Sequence, residues 1–204
     1  VVIPLKLPVG NYQIEEIEAP EGFLDLEENI QFEISSIKDY DKDKDGNYIK
    51  VIEVLNEQPK ASIDLTKEIV FRNKEDVDLS LVDISDLSKI EFKLTAKEDI
   101  LDKADHSAIY KKGDVIGNYN LSKDGKLEIN NLPIGTYNLE ETKTIDGLAI
   151  NKEPIEIAFK KQDGTTKNYK KEINLKNKTT FVQIYKIDKD SKEQLKGAKF
   201  VLYD

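Results

Sequence analysis

The sequence predicts an all-β protein made of tandem β-sandwich domains, one complete and two partial. Three observations point there. Short runs rich in Ile, Val, Leu, Tyr and Phe alternate with polar residues at a period of two. Asp-Gly pairs punctuate those runs at Asp45-Gly46, Asp124-Gly125, Asp146-Gly147 and Asp163-Gly164, as tight turns between strands require. Whole phrases also return further along the chain, the mark of a repeated unit.

Taken in order, the strands are expected in NYQIEE (11–16), IQFEIS (30–35), YIKVIEVL (48–55) and SIDLTKEIVF (62–71). IEFKLTA (90–96), KLEINNL (126–132), TYNLEE (136–141) and PIEIAF (154–159) follow, then YKKEINLKN (169–177) and FVQIYKID (181–188). Residues from about Lys97 to Ile109 lack alternation, and a short helix or a loop excursion is expected there. The repeat fixes the domain frame. LPVGNYQIEE (7–16) matches LPIGTYNLEE (132–141), and KIEFKLTA (89–96) resembles GAKFVLYD (197–204). IEVLNEQPKASIDLTK (52–67) resembles INLKNKTTFVQIYK (173–186) with a small length difference. Residues 1–59 therefore read as the end of one domain, 60–179 as a complete domain and 180–204 as the first strands of a third. The lack of Met and the start at Val1 fit a piece of a longer array.

Composition narrows the function. A formal charge of −9 disfavours nucleic acid, which needs a basic face, and disfavours anionic lipid. No apolar run reaches membrane-spanning length and no signal peptide is visible. Without cysteine there are no disulfides, thiolate metal sites or cysteine nucleophiles. The single His106 lies in a polar stretch and reads as a solvated loop residue. No cofactor is expected. Asp41, Asp43, Asp45 and Gly46 match the start of a calcium loop, but Ile52 stands where that loop needs its last carboxylate. A solvated hairpin tip is the better reading, and no metal site is assigned.

The period of two also places polar residues where a core should be. Tyr12, Ile14 and Glu16 share a face, as do Tyr137, Leu139 and Glu141. Ile63, Leu65 and Lys67 align, and Val182, Ile184 and Lys186 repeat the choice. Ile52, Val54 and Asn56 align, and so do Ile173, Leu175 and Asn177. A complete unit thus turns one Lys, one Glu and one Asn inward. Each has an ordinary alternative: a snorkelling lysine, a surface ion pair, a strand-ending asparagine. Their joint recurrence favours a single site. Burial lowers a lysine pKa and raises a glutamate pKa. A neutral Lys67 amine is a nucleophile, the Asn177 carboxamide an electrophile, and a protonated Glu141 a proton shuttle. The product would be an amide cross-link with loss of ammonia, a single-turnover reaction rather than enzymatic catalysis.

The YxLxE motif followed by APEGF, with a first-strand Lys and a last-strand Asn, resembles the Cna B-type (SpaA-type, prealbumin-like) domains of Gram-positive cell-wall-anchored adhesins and pilins. The resemblance implies tandem Ig-like or prealbumin-like sandwiches and an isopeptide bond between Lys67 and Asn177 with Glu141 as catalyst. It also implies that Glu16 and Asn56 belong to a site whose Lys lies elsewhere, and that Lys186 opens a further one. TKTIDGLAI (142–150) departs from the IEAPEGFLD (17–25) of the first copy, and residues 97–121 are an insertion. The implied role is a stalk or backbone module on the extracellular, wall-anchored surface, with neighbouring repeats of the parent chain as partners. The alternative is a ligand-binding module for a host surface or matrix molecule, using the insertion or the hairpin at 39–47. Pairing of Lys186 with Glu16 and Asn56 of another copy is a further expectation.

Overall fold

The computed structural model describes residues 7–35, 40–70, 84–179 and 184–201. Its centre is a sandwich of two sheets. One holds β5 (Lys60–Val70) between β10 (Lys126–Pro133) and β13 (Asn168–Lys178). The other orders β12 (Ile155–Ala158), β11 (Thr136–Lys143), β6 (Glu91–Ala96) and β9 (Val115–Asn120). All-β architecture is as the sequence predicts. The alternating rows supply the core: Ile63 and Leu65 of β5 pack with Phe92 and Leu94 of β6 and Tyr137 and Leu139 of β11. All six are 1% exposed or less. β-Branched and aromatic residues suit this half-buried pleated surface, which is why the pattern alone announces the strands.

Two features of the central sheet decide what meets inside. β13 runs parallel to β5 along its whole length, with Leu175 opposite Lys67 and Asn177 opposite Ile69. β10 pairs antiparallel with β5 and is followed directly by β11 across the Pro133–Thr136 turn. Pairing of β5 with β13 joins the two ends of the 60–179 unit side by side. The turn before β10 grips β5 where it matters: Gly125 holds φ +82° and its carbonyl accepts from the Lys67 backbone N–H at 2.8 Å. A side chain on Gly125 would strike both Leu87 and the Lys67 carbonyl.

The 97–109 stretch is a loop excursion carrying a two-stranded hairpin, β7 (Ile100–Leu101) with β8 (Ala108–Tyr110), and contains no helix. His106 sits exposed at its tip with φ 60°. Residues before β5 form two smaller pairs: β1 (Gly10–Ile14) with β2 (Ile30–Ile34), and β3 (Asp41–Lys42) with β4 (Tyr48–Ile49). β1 and β2 copy β11 and β12. Tyr12 faces Phe32 as Tyr137 faces Ile157, and each tyrosine hydroxyl donates to the carbonyl of a proline four residues earlier at 2.6 Å.

Two expected strands differ. YIKVIEVL is paired only at Tyr48–Ile49, and 50–59 runs on without a ladder partner among the described residues. Its counterpart β13 is a strand with β5 beside it, whereas no strand pairs with 50–59 among the described residues. Val54 is accordingly 42% exposed, so the Ile52–Val54–Asn56 row is only partly covered. FVQIYKID also lacks a strand among its described residues. Ile187 makes an isolated bridge to Gln194, and Lys186 accepts at its carbonyl from the Leu195 N–H. Val182 and Phe71 fall outside the described residues.

Candidate functional site

Lys67, Glu141 and Asn177 meet inside the sandwich. Each is 3–4% exposed. β5 presents Lys67 and the adjacent β13 presents Asn177, both on the row that continues the apolar stripe. β11 of the opposite sheet aims Glu141 back at them. Lys67 Nζ donates to Glu141 Oε2 at 2.8 Å. Asn177 Nδ2 donates to Oε1 at 3.0 Å and to Oε2 at 3.3 Å. Both nitrogens therefore lie within hydrogen-bond reach of one carboxylate oxygen.

The walls are apolar. The Lys67 ammonium position lies 5.1 Å from the centre of the Phe92 ring. Burial pulls the Lys67 pKa below its ordinary value, outweighing Glu141, which pulls the other way by hydrogen bond and charge. A buried ion pair is not a net source of stability: desolvating both charges offsets most of their attraction. The three groups satisfy one another by hydrogen bonds inside the core, which lowers but does not remove the cost of burying them.

Sequence reasoning missed one part. The Asn151 backbone N–H donates to Glu141 Oε2 at 3.2 Å. It arrives because the 145–151 loop folds onto the end of β13, with Ala149 N–H donating to the Lys178 carbonyl and Leu148 bridging Thr179. The first copy repeats this. Leu26 N–H donates to Glu16 Oε2 at 2.9 Å, and Leu24 N–H donates to the Glu57 carbonyl at 2.8 Å. The signal available in the sequence was spacing: the donor follows its Glu by ten residues in both copies.

Glu16 and Asn56 also meet. Asn56 Nδ2 donates to both Glu16 oxygens, at 2.9 and 3.0 Å, and to the Leu24 carbonyl at 3.0 Å. No lysine reaches Glu16 among the described residues, and the pair is half-buried. Lys186 does not face inward. It is exposed, on a segment whose turn is tied by Asp188 to Asp190 and Ser191. Ile184 is exposed too, no second sheet covers this segment among the described residues, and Val182 of the expected row lies outside them. The acidic hairpin closes on itself: Asp43 Oδ1 accepts from the Asp45 and Asn47 N–H groups, and Asn47 holds the Asp43 carboxylate below its usual pKa. Among the described residues no cluster of His, Cys, Asp and Glu is suited to a metal, and no helix is long and apolar enough to cross a membrane.

In Asn177→Ala the carboxamide is gone, and Lys67 and Glu141 remain as a buried pair. Lys67 then has a lower pKa folded than unfolded, so the unfolded chain binds more protons as pH approaches 10.5 from below. Stability contributed by this group is present at high pH and falls as pH drops through the folded pKa. Asn177→Ala should therefore gain stability as pH rises toward 10.5 relative to a Lys67→Ala, Asn177→Ala double variant, read by urea unfolding. Equal slopes would show that Lys67 is not desolvated.

Comparison with known proteins bears on the fold. Residues 76–174 match the SpaA family, a prealbumin-like fold domain. The matched span contains Glu141 and stops short of Asn177, while Lys67 lies before it. No curated protein matches the chain. Among solved structures, the Bacillus anthracis TIE protein is similar at 21% identity and TM-score 0.52, over 85% of this chain and 26% of that one. The Corynebacterium diphtheriae major pilin SpaA aligns at 16% identity and TM-score 0.41, over 59% of this chain and 31% of that one. GBS52, the minor pilin of Streptococcus agalactiae, aligns at 18% identity and TM-score 0.40, over 90% and 66%. This chain thus spans about a quarter of the TIE protein's length. The two-sheet sandwich and the matched segment agree, and residues 76–174 carry the likeness to the SpaA prealbumin-like fold domain.

Proposed function

We propose that this chain is a structural stalk module of a Gram-positive surface adhesin or pilin, reinforced by an intramolecular isopeptide bond between Lys67 and Asn177. One observation carries the cross-link: a buried amine and a buried carboxamide share the same buried carboxylate. Within the pair, a proton passes from Lys67 Nζ to Glu141, leaving a neutral amine. Nζ attacks Cγ of Asn177. Glu141 delivers a proton to Nδ2 and takes one from Nζ, the Cγ–Nδ2 bond breaks, and ammonia departs. One amide bond is lost and one is formed, with no oxidant or cofactor. Holding the groups in a folded core supplies effective concentration. Phe92 and the surrounding core shut water out, which favours the neutral amine over the ammonium.

In this reading residues 1–59, 60–179 and 180–204 are successive units, and Glu16 with Asn56 is the same machinery awaiting a lysine. The site serves one turnover and no external substrate. Joining β5 to β13 places the bond across the two ends of the unit, so a pull along the stalk bypasses the 68–176 loop. Ligand binding by the 97–121 insertion is the second reading, and no described feature there singles out a ligand. Protease digestion of the purified protein is expected to yield a branched peptide joining the Lys67 and Asn177 segments. Recovery of both segments only as linear peptides would overturn the cross-link.

A further inference from the structure

The insertion that makes the second unit long for its family touches the first unit. Gln58, immediately before the second unit, uses both ends of its amide on the β7–β8 tip: Nε2 donates to Asp102 Oδ1 at 3.0 Å, and Oε1 accepts from the Lys103 N–H at 3.3 Å. The Lys103 stem lies against Gly22, which has φ +90° and no room for a Cβ. A second clamp sits on the turn before β13. Asp25 N–H donates to the Gly164 carbonyl at 2.9 Å, and Glu27 pairs with Lys167 at 2.5 Å. A Cβ at Gly164 would overlap the Asp25 carboxylate. The linker between the clamps is pinned as well. The Glu57 carbonyl accepts from Leu24, Pro59 is buried, and Lys60 N–H donates to the Lys167 carbonyl at 2.8 Å.

We propose that the β7–β8 insertion and the 163–167 turn form a docking surface for the preceding repeat of the same chain, fixing the angle between units. Neighbouring domains joined by short polar contacts ordinarily move relative to one another. Here backbone hydrogen bonds and a glycine close approach hold the loop, and the exposed ion pair adds little by itself. The inference does not depend on the cross-link, since neither clamp includes Lys67, Glu141 or Asn177.

The absence of cysteine allows a direct test. Spin labels on Glu33→Cys and Lys123→Cys, both exposed and outside the clamps, report the distance between units. The full chain is expected to give one narrow distance distribution. Gly164→Val and Gln58→Ala should each broaden it, and Asp25→Ala should restore the narrow distribution to Gly164→Val by removing the atoms it strikes. Far-ultraviolet circular dichroism confirms that each variant is folded. A broad distribution in the parent, or one unchanged by Gly164→Val and Gln58→Ala in folded protein, would overturn the docking surface. Failure of the Asp25→Ala rescue would overturn the close approach at Gly164. Intact mass separates this from the cross-link, because the ammonia loss should be the same in all these variants.

Discussion

Glu141→Ala is expected to lower the stability of the 60–179 sandwich by several kcal/mol, the largest effect of any single substitution in the site. The reasons are two and they overlap. Removing one member of a buried ion pair strands the other, at about 3–5 kcal/mol. Lys67 is 4% exposed and its remaining neighbours include the Phe92 face, which cannot replace a carboxylate. Under the proposed cross-link the variant also cannot form the bond, and closing a loop on the order of 100 residues contributes about 4–5 kcal/mol in the chain-entropy view. The two losses share a site and will not add. Guanidinium unfolding of the wild type, Glu141→Ala and Lys67→Ala checks this. Lys67→Ala should fall less than Glu141→Ala, because Glu141 keeps its hydrogen bonds from Asn177 and from the Asn151 N–H. Matching midpoints for Glu141→Ala and wild type would contradict the account.

Phe92→Ala should act on both packing and chemistry. The ring is 1% exposed and lies between the two sheets, so its loss costs about 3–5 kcal/mol in cavity and transfer energy. The cavity opens beside Lys67 Nζ. Water there stabilises the ammonium, raises the amine pKa back toward its ordinary value and slows attack on Asn177. Freshly synthesised chains, quenched at intervals in denaturant and weighed, should therefore lose ammonia more slowly in Phe92→Ala than in wild type. Phe92→Leu keeps an apolar wall and should fall between them. A Phe92→Ala protein that is destabilised yet loses ammonia at the wild-type rate would show that this wall does not tune the amine.

How far the sequence could be read depends on where burial is decided. Ile63, Leu65 and Lys67, and Tyr137, Leu139 and Glu141, lie on strands with a sheet on either side or opposite. Their period of two therefore translates directly into a buried row. Ile52, Val54 and Asn56 have the same period, yet Val54 is 42% exposed, and among the described residues no strand pairs with 50–59. Lys186 is exposed as well. Alternation reports which residues share a face, while covering that face is a tertiary matter. The parallel pairing of β5 with β13 was not legible either. It joins residues more than a hundred positions apart, and no local propensity encodes it. The β7–β8 hairpin escaped because its two strands are two and three residues long, too short for any periodicity to show. The backbone donors from Leu26 and Asn151 leave no mark in residue type. They belong to loop shape, and only their common spacing from Glu16 and Glu141 hinted at them.

The repeat, in contrast, proved the most informative feature. It aligns Tyr12 with Tyr137, Glu16 with Glu141 and Asn56 with Asn177, and in the structure each tyrosine donates to a proline carbonyl and each asparagine to the glutamate of its own copy. What separates the copies is the lysine. At Glu141 the amine is in place; at Glu16 none is within reach among the described residues.

The central claim is covalent, so its most direct measurement is the intact mass of the fully denatured wild-type chain beside Lys67→Ala and Glu141→Ala. The wild type should weigh one ammonia less than its sequence requires, and both variants should match theirs. A wild-type mass equal to the sequence value would contradict the cross-link outright, whatever the geometry around Glu141.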